Sequence, residues 1–269
     1  MKEIEREEFY VGYLPQAPRR LGKWLRNVCV ALIGVAVLVA LLLVFGLQKL
    51  PLSVFEFQQY REFEGLVQAK PYPTLLVKNG NSLAQYLLVA EGKYGADVTG
   101  FEGQNVKLTG TKIYRDGMTM IEVVGGSMQA VNSPANATLP ADDLGNFTLV
   151  GEIVDSKCYL GVMNPGNTKV HRECAVRCIS GGIPPLLIAR DSNGNKVALQ
   201  LVSAKGEPVN QEILDLVAEP VEITGQVSRA GEQLVLKADP KTYRRVQCTL
   251  LQAILFSNRR VKCSTFQIV

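Results

Sequence analysis

The chain has 269 residues, 47% of them hydrophobic and 20% charged. That is enough for one large domain or two small ones, and it excludes a disordered or low-complexity polymer. The formal net charge of +4 hides a segregation: between Pro51 and Pro240 there are 16 basic and 21 acidic residues, so the body is mildly acidic and unsuited to a nucleic-acid surface.

Residues 1–26 are polar, with Lys2, Arg6, Arg19, Arg20, Lys23 and Arg26 set against Glu3, Glu5, Glu7 and Glu8. Val28 to Leu47 then carries no charge and is rich in Val, Leu and Ala. Twenty helical residues at about 1.5 Å each match the roughly 30 Å hydrocarbon core of a bilayer. A signal-peptide core is shorter, about 7–15 residues, and no small-x-small cleavage site follows this one. Residues 27–50 therefore read as a transmembrane helix and 1–26 as a cytoplasmic tail. The basic cluster before the span, against Lys49 just after it, orients the amino terminus inward and the rest of the chain outside the plasma (inner) membrane. A buried core helix is the competing reading of the same run. Cys29, within it, reads as a small apolar residue.

From Phe55 to Val246 the sequence repeats itself. Val106-Lys-Leu-Thr109-Gly110, turning at Arg115-Asp-Gly117 into Met118–Val124, parallels Val221-Glu-Ile-Thr224-Gly225, turning at Arg229-Ala-Gly231 into Gln233–Ala238. Upstream, Phe63-Glu-Gly65-Leu-Val67 parallels Leu149-Val-Gly151-Glu-Ile153-Val154, and Tyr86–Val89 parallels Leu199–Val202. The period-2 alternation makes these strands and hairpins. Each unit has about five strands with a helical or irregular piece before the fourth (Tyr94–Gln104 and Val209–Ala218). That order predicts a mainly β chain: two tandem OB-like five-stranded barrels, residues 55–125 and 146–246, joined by a linker at 126–145. β-sandwich halves are the competing reading.

The repeats are offset unequally. Gly65 to Gly151 is 86 positions and Thr109 to Thr224 is 115, so the second unit carries 29 extra residues after its first strand. Where the first unit has only Gln68-Ala-Lys-Pro-Tyr-Pro73, the second has an insertion at 156–185. In an OB-fold this enlarges a loop such barrels use for ligands. Residues 247–269, with Cys248–Phe256 too short to span a bilayer, read as a tail on the membrane surface or a poorly ordered end.

The insertion holds Cys158, Cys174, Cys178 and the sole histidine, His171. On a helix from His171 to Ser180, His171, Cys174 and Cys178 fall at i, i+3 and i+7 on one face. Gly181-Gly182 and Pro184-Pro185 end it. With Cys158 brought across from the preceding strand, Cys158, His171, Cys174 and Cys178 make a Cys₃His set. Such a set suits zinc, and thiolates with imidazole also suit copper or iron. Met163 is a candidate axial thioether for copper, or a packing residue. Asp155 and Glu173 are candidate acceptors for the imidazole N–H, though surface carboxylates is the favoured reading of both. Lys157, Lys169, Arg172 and Arg177 bring positive charge near the thiols, with Lys169 and Arg172 favoured as solvated residues. The competing structural reading is a disulfide from Cys158 to Cys174 or Cys178, the default outside the cell, contributing about 2–4 kcal/mol. A thiol-exchange site is the third. There is no Gly-rich phosphate loop, no GxSxG, no haem-attachment CxxCH and no second histidine for a triad, so the reading leans away from an enzyme.

Gly151-Glu-Ile-Val-Asp155-Ser-Lys-Cys158-Tyr159, His171-Arg-Glu-Cys174-Ala-Val-Arg-Cys178 and Gly182-Ile-Pro184 resemble a pattern in uncharacterised exported or membrane-anchored bacterial proteins. Those proteins combine a G-x-V-V-D-S-x-C-Y strand with H-x-x-C-A-x-x-C and G-I-P. The resemblance covers roughly residues 150–190 and implies a shared site without an assigned activity. A short inner tail, one anchor and barrels outside are also similar to accessory subunits of bacterial respiratory complexes. The expectation is a membrane-anchored, metal-binding or electron-transfer accessory protein whose partners are the bilayer and subunits of membrane redox complexes. The alternative is an assembly subunit with a disulfide-stapled partner-binding loop and no metal.

Overall fold

A computed structural model describes residues 19–47, 53–80, 82–132, 139–191 and 195–246. The chain divides at Pro51 into two units. The first contributes one helix, α1 (Arg19–Leu47), which starts in the basic cluster rather than at the first apolar residue. Arg and Lys are good helix formers, so the helical ladder runs back into the flank. Its most apolar window has a mean hydropathy of 3.3 and no buried residue, and it is long enough to cross a membrane. Cys29 is exposed on it.

The second unit is two closed five-stranded barrels. The first comprises β1 (Arg61–Gln68), β2 (Thr74–Asn79), β3 (Ser82–Ala90), β4 (Asn105–Arg115) and β5 (Met118–Val123). The second comprises β6 (Ala141–Asp155), β7 (Pro185–Arg190), β8 (Lys196–Val202), β9 (Pro220–Ala230) and β10 (Gln233–Lys237). In each, the first strand pairs with the second, the second with the third and the fourth with the first, all antiparallel. A parallel pairing of third with fifth and an antiparallel pairing of fifth with fourth complete the circuit. This is the OB order that the repeat predicts.

The repeated residues are the ones closure needs. A side chain on Gly110 or Gly225 would lie 2.6 Å from Glu122 O or 2.3 Å from Lys237 O, so only glycine lets the curved strands approach. The β4–β5 hairpin turns at Asp116 and Gly117, with φ of 49° and 81°, as a two-residue hairpin with both central residues left-handed requires. Inward residues alternate along β4 as Val106, Leu108 and Gly110. The first barrel closes over Val67, Leu75, Leu88, Val106, Leu108 and Ile121, the second over Leu149, Ile153, Leu187, Leu201, Ile223 and Leu236.

The linker and second barrel meet earlier than the sequence suggests. β6 begins at Ala141, not 146, and its first residues pair with Ser228–Ala230 of β9. Gly145, at φ 95°, and a register shift between Val227 and Ser228 bend this extension, and the bend hides the alternation that would have marked it as strand. The pieces before β4 and β9 are irregular, the latter with one 3₁₀ turn at Leu214–Leu216.

Residues 156–184 join β6 to β7, where 69–73 join β1 to β2. The long connection is not a free loop. Its Cys158, Tyr159, Leu160, Cys178 and Ile183 share one buried cluster with Leu87, Val89, Ile113 and Met120 of the first barrel. The insertion is the layer packed between the barrels, and each Leu or Ile buried there contributes roughly 1.5–3 kcal/mol.

Candidate metal centre

Three pieces carry the site. β6 ends at Asp155 and passes directly into a wide helical turn, Cys158–Val162. Asp155 starts that turn: its Oδ1 accepts from the Cys158 N–H at 2.8 Å. Gly161 follows because a side chain there would lie 2.6 Å from Val54 O, in the short strand Ser53–Phe55 beside β4. The chain then reaches a 3₁₀ turn at Lys169–His171 and α2 (Arg172–Ser180). The Thr168 N–H donates to the Glu152 carboxylate, tying this entry to β6.

α2 stops where the sequence predicts. Gly182, at φ 99°, takes the left-handed position. The carbonyls left over at its end are met from the second barrel: Asn210 Nδ2 donates to Ile179 O at 2.7 Å and to Ile183 O at 2.9 Å, and Gln211 Nε2 to Ser180 O at 3.1 Å. The helix is thereby locked in rotation, with Ala175, Cys178 and Ile179 buried.

All four predicted donors gather around Cys158, but as two overlapping triads rather than one set. Cys158, a ring nitrogen of His171 and Cys174 lie within 4.8 Å of one another, and so do Asp155, Cys158 and Cys178. The Cys158 and Cys174 sulfurs are 4.0 Å apart. Zinc–sulfur bonds of about 2.3 Å in a tetrahedron put sulfurs roughly 3.8 Å apart, so the spacing suits a shared ion. A disulfide needs about 2.05 Å, and Cys158, Cys174 and Cys178 are free thiols. The competing disulfide is not seen among the described residues; Cys248 and Cys263 lie outside them.

Asp155 is the residue the sequence reading undervalued. It is fully buried and its Oδ2 lies 3.0 Å from His171 Nε2. A carboxylate behind an imidazole fixes the ring and leaves Nδ1 as the nitrogen free to ligate. Glu173, by contrast, is exposed. Met163 is 47% exposed at the outer end of the turn. Tyr159, Pro184 and Pro185 pack the insertion as expected.

The positive charges are distributed differently from the sequence picture. Lys157 points away from the sulfurs into the first barrel, where it pairs with Glu122 and donates to Ala90 O at 2.9 Å and Gly92 O at 2.7 Å. Arg172 and Lys169 are not simply solvated; both pair with Glu219. Arg177 is exposed. The cation at the sulfurs is Lys93, which the sequence reading missed because it lies 81 positions from Cys174, in the other barrel. Its Nζ donates to Cys174 Sγ at 2.8 Å and lies 3.8 Å from Cys178 Sγ.

These contacts divide the thiols. Cys178 is held below the ordinary thiol range because the Cys158 S–H hydrogen-bonds to its sulfur, and the Lys93 charge adds to this. Cys158 is pushed up by giving that hydrogen bond, by burial and by the nearby Asp155 charge. Glu152 is raised by burial, against the Thr168 N–H. A lysine ammonium at the sulfurs, with a carboxylate-backed imidazole, makes a donor set suited to a soft or borderline metal ion. No protein-family model, curated protein or solved structure matches this chain.

Proposed function

We propose that this chain is a membrane-anchored metal-binding protein whose folded body lies outside the membrane and serves as an accessory to membrane redox enzymes. The observation that carries the reading is the convergence of Cys158, His171 and Cys174, with Cys178 in a second triad that shares Cys158, and with Asp155 Oδ2 at 3.0 Å from the imidazole. Cys158, common to both triads, lets one zinc, copper or iron ion draw Cys158, His171, Cys174 and Cys178 into a single ligand set on binding. Four protein ligands leave no coordination position for substrate, which favours an electron-transfer or structural centre over catalysis. α1 holds the protein in the bilayer, and the basic residues that begin it keep the amino terminus in the cytoplasm. The place follows the proposed anchor, and the redox partners are proposed by analogy with the anchor-plus-barrel arrangement alone.

Elemental analysis of the full chain, purified in mild detergent, tests the reading. It is expected to contain close to one equivalent of zinc, copper or iron, and His171→Ala is expected to lose it. Metal-free wild-type protein without free thiol at Cys158, Cys174 or Cys178 would sink it. A second reading, an assembly subunit with a disulfide-stapled insertion, is favoured by the proximity of the Cys158 and Cys174 sulfurs, 4.0 Å apart. Non-reducing peptide mapping that links these two residues in metal-free protein would establish that reading instead.

A further inference from the structure

We infer that Lys93, delivered by the first barrel, is the counter-cation and sulfur-directed hydrogen-bond donor that sets the affinity of the Cys/His centre for a divalent ion. The inference rests on the metal reading above. A divalent ion held by three thiolates and a neutral imidazole keeps one net negative charge, which is costly in a site where Cys158 and Cys178 are buried. Lys93 supplies the matching charge, with Nζ 2.8 Å from Cys174 Sγ and 3.8 Å from Cys178 Sγ. The other nearby cations are committed elsewhere. Lys157 spends its ammonium on Glu122, Ala90 O and Gly92 O, and Arg172 on Glu219.

The position of Lys93 is built. The two residues before it, Glu91 and Gly92, follow β3, and the carbonyls of Ala90 and Gly92 are gripped by Lys157. Two residues after it, the Gly95 N–H donates to Gly181 O at 3.0 Å. Between these anchors the Lys93 carbonyl presses on the end of α2, where a side chain at Gly181 would lie 2.0 Å from it. The segment is clamped on both sides of Lys93 by the insertion itself. The metal centre is thus assembled by both barrels: the second supplies the ligands and the first their counter-charge. Hydrogen bonds to ligating sulfur lower its electron density and raise the affinity of an otherwise over-charged thiolate site.

Cobalt(II) and zinc titrations of the full chain in detergent test this, with Lys93→Gln, Lys93→Arg and the exposed control Arg177→Gln. Lys93→Gln is expected to lower zinc affinity about 10–100-fold, the range for residues that support metal ligands. It is also expected to move the thiolate-to-cobalt charge-transfer band to longer wavelength, because sulfur freed of an N–H bond is a better electron donor. Lys93→Arg restores both, and Arg177→Gln leaves both unchanged. Circular dichroism melting separates loss of charge from loss of fold, since a packing role moves the melting curve and not the band. Wild-type affinity and band in Lys93→Gln, or equal losses in Arg177→Gln, overturn the inference while leaving the metal reading intact. A wild-type chain that binds neither ion overturns the inference, and the metal reading falls with it when elemental analysis also finds no copper or iron.

Discussion

Asp155 shows how much one side chain can settle. It ends β6, starts the Cys158 turn through its Oδ1 and holds His171 through its Oδ2, all without exposure to water. Asp155→Asn keeps an oxygen for the Cys158 N–H but removes the charge that orients and polarises the imidazole. We expect zinc affinity to fall about 10–100-fold with the secondary structure retained, as read by chelator competition and circular dichroism. Unchanged affinity would mean that packing alone orients His171. From the sequence, Asp155 could only be weighed as one carboxylate among 25 acidic residues, because its role depends on the insertion folding back to bring His171 against it.

At the scale of elements, α2 is held at its C-terminal end by neighbours from both barrels that it meets only in the folded chain. Asn210 and Gln211 close its carbonyl end, and the Lys93 backbone abuts Gly181. Gly181 has φ −81°, so its need for glycine is one of space and not of backbone conformation. Gly181→Ala puts a methyl group into the Lys93 carbonyl and must drive α2 away from the 91–95 segment. The expected cost is about 1–3 kcal/mol in denaturant unfolding, as for other overpacked sites, together with weaker zinc binding. A neutral effect on both would show that the clamp yields easily. The helix itself was legible: the i, i+3, i+7 spacing of His171, Cys174 and Cys178 and the Gly-Gly stop place it correctly. What it packs against was not, since local periodicity says that a face is apolar but never names its partner.

In the whole molecule, the two barrels are joined by more than the insertion. Tyr72, in the short β1–β2 connection, donates to Leu201 O at 3.0 Å and accepts from the Val209 N–H at 3.2 Å, both in the second barrel. The insertion adds its own tie: Arg115, at the end of β4, lies 4.3 Å from the Tyr159 ring and donates to its carbonyl at 3.0 Å. Tyr72→Phe leaves a buried N–H and a buried carbonyl without this partner and is expected to cost about 1–3 kcal/mol. Burial also raises the Tyr72 phenol above its ordinary value of 10.0, with the Val209 N–H opposing, and burial raises Tyr243, with the neighbouring Tyr72, Glu212 and Asp239 charges adding to the rise. Between the unfolded and folded values the folded chain keeps protons that the unfolded chain releases. Their contribution is therefore complete below about pH 10 and declines as pH rises above it. Guanidinium unfolding at pH 7 and at pH 10.5 should show that decline in the wild type and a shallower one in Tyr72→Phe. An identical pH dependence would remove Tyr72 from the account.

The sequence by itself determined the apolar span, the duplicated five-stranded units, and a long connection after the second unit's first strand, read as 156–185, that carries Cys158, His171, Cys174 and Cys178. These follow from local physics: run length, period-2 and period-3.6 alternation, turn residues, and a repeat that exposes an insertion by its offset. Only the tertiary structure decided that the insertion is a packed layer between the barrels, that Asp155 is buried behind His171, that Lys157 turns away from the sulfurs, and that Lys93 turns toward them. Those facts depend on contacts between residues tens of positions apart, here 67 between Lys157 and Ala90 and 81 between Lys93 and Cys174. Burial and charge pairing are set by which surfaces the barrels press together, and no local pattern encodes that choice.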